Sequence, residues 1–202
     1  MRPTIVVAAA LLYAVACGKS ADSRADSAGG LVGATTGAGP AVVQPAPATP
    51  APLTDANIVA KLGAADSAEV ALARLATSKA TNAGVKAYAR LLVTDHTSHT
   101  RALAALEKKA SLTPQPPPND MSAQDEQQTL DRFKALAKGM DFDTAFVNHE
   151  VTDHQTVISE VQSLENTAQN ADLKALLTKT LPVLQKHLDR AQALQKRLSG
   201  GT

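Results

Sequence analysis

Val85-Lys-Ala-Tyr-Ala-Arg-Leu-Leu-Val-Thr-Asp-His-Thr-Ser-His-Thr-Arg-Ala-Leu-Ala-Ala-Leu-Glu-Lys-Lys-Ala110 decides the fold of this chain. Val85, Ala89, Leu92, Leu103, Leu106 and Ala110 recur at steps of three and four, the spacing of one helix face. At the middle of that face the aliphatic residue is replaced by His96 and His99. Three other stretches follow the same plan. One carries Ile58, Leu62, Ala65, Glu69, Leu72 and Ala76, and another Asp143, Val147, Glu150, His154, Val157, Val161, Leu164 and Ala168. The last carries Leu173, Leu177, Thr180, Leu184, His187, Ala191, Leu194 and Leu198. Stripes of this width and repeat suit antiparallel helices crossing at small angles. The expectation is an all-α fold, a four-helix bundle over residues 54–199.

Punctuation agrees with the stripes. Thr54 or Asp55 can cap the first helix, Asn82 to Gly84 make a turn, and Thr113 to Pro118 end the second helix with four prolines. A short helix over 122–138 is expected in the central connection, with Leu130, Phe133, Leu136 and Ala137 facing inward and Gly139 as its stop. Gln169-Asn170 turn the chain into the last helix, where Pro182 predicts a kink. Asp120 to Asp131 reads as a solvated face.

A polar group in a buried seam costs roughly 1–3 kcal/mol unless it is paired. Glu69 and His96 lie at similar distances from the first turn, and His154 and His187 from the last, so all can share one level near mid-height. Spacing of four pairs Asp95 with His99, His149 with Asp153, and Glu150 with His154. A carboxylate on one ring nitrogen leaves the other for a metal. Val93-Thr-Asp-His96 recurs as Val151-Thr-Asp-His154, relating the second long stretch to the third, which is not the pattern of a duplicated hairpin.

The beginning of the chain reads as an export signal over residues 1–16: Arg2, the apolar run Ile5 to Tyr13, then Ala14-Val-Ala16. The only cysteine, Cys17, follows at once, and Ala-Val-Ala-Cys resembles a bacterial lipobox, which implies a lipid on Cys17 as the membrane partner. Gly18 in place of aspartate favours the outer membrane by the same resemblance, facing the periplasm. Residues 17–53, rich in Ala, Gly and Pro, read as a disordered tether. A net charge of +1, with no Trp, 2 Tyr and 3 Phe, argues against nucleic acid as a partner. No phosphate-binding glycine loop, paired-cysteine metal motif or nucleophile elbow occurs, so no enzyme is expected.

Ala68-Glu-Val-Ala-Leu-Ala-Arg-Leu-Ala76, Lys86-Ala-Tyr-Ala-Arg-Leu-Leu-Val-Thr-Asp-His96, Phe142-Asp-Thr-Ala-Phe146, Thr152-Asp-His154 and Thr180-Leu-Pro-Val-Leu-Gln-Lys-His-Leu188 resemble the bacterial envelope family called domain of unknown function 4142. The resemblance spans about Asp55 to Leu198 and implies a ferritin-like architecture and an exported or outer-membrane address, without an activity. Ferritin-like di-iron centres use a glutamate on two helices and Glu-x-x-His on the other two. Val93 precedes His96, and Leu184 precedes His187, so that ligand set is incomplete.

The residues favour a non-catalytic envelope module whose buried His/Glu layer fixes helix register. The alternative is a mononuclear metal site for Zn, Cu, Ni or Fe. Its primary ligands are His96, His154 and His187, with His99, Glu69 and Glu150 as further candidates. Asp95, Asp153 and His149 stand behind them. Such a site is expected to weaken below about pH 6.

Overall fold

The computed structural model describes residues 52–200, and the export signal, Cys17 and nearly all of the tether lie outside them. Five helices follow in order: α1 (Asp55–Lys79), α2 (Ala83–Ala110), α3 (Ser122–Ala135), α4 (Met140–Thr167) and α5 (Ala171–Ser199). No strand occurs among the described residues. The fold is all-α, a helical bundle in which α1 packs on α2 and α4 on α5, while α3 lies against α1.

Local chemistry sets the boundaries. Thr54 closes a capping box with Asn57, and Asn82 and Asn170 each accept two backbone N–H groups at the starts of α2 and α5. The proline-rich connection is clipped back to the start of α1, where Asn57 Nδ2 donates to the Gln115 carbonyl at 2.8 Å. Pro182 sits inside α5, which continues through it as one helix.

Two expectations fail at α3. It ends at Ala135, three residues early, and Lys79 Nζ donates to the carbonyls of Phe133 (3.2 Å) and Lys134 (2.6 Å) there. Gly139, with φ 142°, is therefore not the stop of α3 but the N-cap of α4, a backbone state only glycine adopts readily. Phe133 and Thr129 are buried, Leu130 and Leu136 half-buried, and Ala137 exposed. Nor is Asp120 to Asp131 wholly solvated, since Glu126 is half-buried and lines an internal cavity.

The hairpins α1–α2 and α4–α5 share one register. Adding 88 to the numbers of the first carries Asp55 to Asp143, Asn82 to Asn170 and His99 to His187. Buried Val59, Ala80, Leu103 and Leu106 fall on buried Val147, Ala168, Ala191 and Leu194. The first-turn acids Asp55 and Asp143 act alike. Asp143 accepts from Thr81 N, Thr81 Oγ1 and Asn82 N of the opposite hairpin's turn. Asp55 accepts from Gln169 N and Asn170 N in the other turn. Each hairpin thus holds the loop of its neighbour.

The apolar core comes in two blocks. One gathers Leu72, Val85, Leu92, Phe142, Phe146 and Leu194. The other gathers Ile58, Leu62, Leu103, Val161, Leu173 and Leu177. Asp66, His96, His154 and His187 each fall between the two blocks along their own helix.

Candidate metal centre

His96 of α2, His154 of α4 and His187 of α5 are all buried, and one nitrogen of each lies within 4.8 Å of the others'. Their ring centroids are 5.3 to 6.1 Å apart. Each ring is fixed from behind by an acceptor. His96 Nδ1 donates to Asp66 Oδ1 at 2.9 Å, and His187 Nε2 to Asp95 Oδ2 at 2.9 Å. His154 Nδ1 donates to the Glu150 backbone carbonyl at 3.1 Å. Carboxylates and carbonyls only accept, so these partners assign the hydrogens.

The assignment leaves a conflict at the centre. A neutral imidazole has a single N–H, so His154 Nε2 and His187 Nδ1 both carry lone pairs, and they face each other at 3.3 Å. Protonation does not relieve it at neutral pH. Burial, with His187 and His96 alongside, depresses His154 to about 3, and burial outweighs the Asp95 hydrogen bond in depressing His187. His96 Nε2 completes the group and is sealed from solvent with no partner among the described residues.

The carboxylates form a second group. Glu69, Glu150 and His154 place one ligand atom each within 4.8 Å of one another, as do Glu69, His149 and Asp153. The single layer expected of the primary and further candidates therefore resolves into adjoining groups, with His154 common to the first two. Glu69 is half-buried as a residue, yet its Oε2 is sealed from solvent without a partner, as is Glu150 Oε1. Burial, then the Glu150 and Asp153 charges, raise Glu69 well above the usual carboxylate range. Burial and Asp153 raise Glu150 likewise, against an opposing Tyr88 hydrogen bond. Burial thus disfavours the charged form of both partners where Glu150 Oε2 and His154 Nδ1 approach to 3.5 Å.

His99 stands outside both groups. Its Nδ1 binds Asp66 Oδ2 at 2.7 Å, and its Nε2 meets Thr180 Oγ1 of α5 at 3.0 Å. The pairing of Asp95 with His99 expected from spacing is replaced: Asp95 reaches across to His187, and Asp66 takes His99. Asp66 was not among the candidates, although it sits four after Leu62 and three before Glu69 on the α1 stripe. Burial would raise its carboxyl, but hydrogen bonds from His96 and His99 outweigh this and hold it below the usual range. Tyr88, buried in the core, brings its hydroxyl to 3.5 Å from Glu150 Oε2. His149 and Asp153 are both half-buried, and the His149 ring lies 5.4 Å from that of Phe133.

A cavity of about 430 Å³ reaches this centre, lined by all three histidines and by Leu62, Val161 and Leu184 among others. No helix among the described residues is long and apolar enough to cross a membrane.

No curated protein and no solved structure matches the chain. A family model does match, over residues 40–194, most of the chain and the whole of the centre described above. The chain belongs to the family described as domain of unknown function 4142.

Proposed function

We propose that this protein binds one transition-metal ion through His96 Nε2, His154 Nε2 and His187 Nδ1. The observation that carries the reading is the 3.3 Å approach of two lone pairs, each fixed by an acceptor behind its ring. A cation between them turns a repulsive contact into two bonds. Asp66 and Asp95 then supply the outer carboxylates that orient metal-bound imidazoles. An all-imidazole set suits Zn, Cu, Ni or Fe. Glu69 and Glu150 belong to the neighbouring group, not to the histidine trio. We propose binding and assign no reaction.

The register-fixing layer is favoured by one different observation. Asp66 joins His96 and His99, and His99 continues to Thr180, linking α1, α2 and α5 without a metal. That network accounts for Asp66 and His99 but leaves the His154–His187 contact unexplained.

Elemental analysis and calorimetric titration of tag-free protein decide between them. About one ion per chain is expected in the natural protein and none in the triple His96→Ala, His154→Ala, His187→Ala variant. Equal, substoichiometric metal in both overturns the metal reading.

The address belongs to the same proposal: an exported, ferritin-like envelope protein held by a lipid on Cys17 to the outer membrane, facing the periplasm. Cys17→Ser should move the protein from the membrane fraction to the soluble periplasm. An unchanged distribution overturns the anchor.

A further inference from the structure

The three histidines are not the end of the site, because the cavity they line is far larger than a metal and its water require. About 430 Å³ lies within the range of pockets that enclose small organic ligands. The walls are Leu62 of α1, Val157 and Val161 of α4, and Leu176 and Leu184 of α5. The polar groups are unevenly placed. The imidazole nitrogens supply the donors of the metal site, and the exposed rim holds Ser98 and Ala102 of α2 with Lys179, Val183 and Lys186 of α5. Asp66 and Asp95, also on the lining, are engaged by histidines, while Glu126 and Asp153 are shared with a smaller adjoining cavity of about 190 Å³.

Three protein ligands are one short of a closed tetrahedral set. The histidines of the trio are neutral donors in a metal-bound state, so they cancel none of the ion's charge. The lining carboxylates Asp66, Glu69, Asp95, Glu126 and Asp153 outnumber the rim lysines Lys179 and Lys186, so the attraction for an anion comes from the ion's uncancelled charge. Apolar walls favour an occupant whose body is hydrocarbon.

We propose that this cavity binds a small monocarboxylate with an apolar body, its carboxylate taking the coordination position that the three histidines leave open on the metal. This rests on the metal reading above. The apolar body lies along Leu62, Val161, Leu176 and Leu184.

Cobalt(II) reports both levels, because its visible absorption intensifies in a low-symmetry site and shifts when a ligand is exchanged. Protein is loaded with cobalt(II) and titrated separately with octanoate and acetate. Octanoate is expected to shift the spectrum saturably, at roughly 100-fold lower concentration than acetate, because its chain is buried. Ala102→Phe, and independently Val183→Phe, narrow the exposed rim and should retain cobalt while weakening octanoate at least about 10-fold. Cobalt binding with no octanoate response, or with equal responses to octanoate and acetate, overturns the ligand proposal and leaves the metal reading standing. An octanoate response unchanged in both rim variants places the carboxylate outside this cavity and overturns it as well. No cobalt spectrum at all sinks both.

Discussion

The two hairpins put different chemistry at the same address. In α1–α2, Asp66 and His99 stand 33 residues apart and meet at 2.7 Å. In α4–α5, His154 and His187 occupy the equivalent positions, again 33 apart, and meet at 3.3 Å. The first pair joins an acceptor to a donor and is complete. The second sets one lone pair against another, the contact on which the metal proposal rests. His96 breaks the correspondence, since its counterpart is Leu184, and it adds the third nitrogen to the incomplete side. One backbone plan thus carries a matched pair in one half and an unmatched pair in the other.

The sharpest way to break this comparison is to remove the equivalent histidines one at a time. His187→Leu should abolish metal binding measured by titration calorimetry. His99→Leu should weaken it by no more than the roughly 10–100-fold expected of an outer-sphere change. Equal losses would show that the hairpins do not divide the labour as described.

Next comes the stability of the metal-free protein. Asp66→Ala strips a buried acceptor from two imidazoles and should cost about 3 kcal/mol in urea unfolding. His154→Leu, at the equivalent position, removes one side of a repulsive contact and should change stability by less than about 1 kcal/mol. A larger loss for His154→Leu would mean that its ring is held by something stronger than the Glu150 carbonyl.

The loop clamps sharpen the comparison further. Asp143 is fully buried and accepts from three groups, so Asp143→Ala should cost about 2 kcal/mol or more. Asp55 is half-buried with two N–H donors, and Asp55→Ala should cost about 1 kcal/mol. Thermal melts of the two variants in one buffer rank them directly.

The last difference between the hairpins is in pH dependence. His154 is held at about 3 against an ordinary 6.5, so between these values the unfolded chain takes up a proton that the folded chain refuses. The stability of the metal-free protein is therefore full above about pH 6.5 and lost as pH falls toward 3, at up to about 1.4 kcal/mol per unit. Proton competition for this ligand is accordingly shifted below the pH 6 expected from unperturbed imidazole. The raised Glu69 and Glu150 act in the opposite sense: their contribution declines as pH climbs above 4.5. His154→Leu removes the term that grows with pH, so in urea curves its stability at pH 7 relative to pH 5 should fall below that of the natural protein.

Much of the fold was legible because apolar spacing and turn residues point the same way. Thr54, Asn82 and Asn170 cap where their side chains suggest. Gly139 misled because glycine serves equally past the end of one helix and at the start of the next, and Lys79, from a distant helix, decides where α3 stops. The site was legible as a level but not as a pattern of partners. Spacing of four favours Asp95 with His99, whereas Asp66 on the facing helix meets two histidines that share one face. The 88-residue register also left traces, among them Asp55/Asp143, Val59/Val147, Lys86-Ala87/Lys174-Ala175 and His99/His187. A louder echo between Val93 to His96 and Val151 to His154, at another offset, hid it.

The polar stratum leaves the apolar interior joined through Ile158, the one residue of those described that packs against both blocks. The block around Phe142 and Phe146 is aromatic, while the block around Ile58 and Leu177 is aliphatic, so the molecule has two ends that can loosen separately. An ion seated between them would fasten three of the four long helices at the waist. Amide exchange should then slow at both ends on metal addition, although neither end touches the ion.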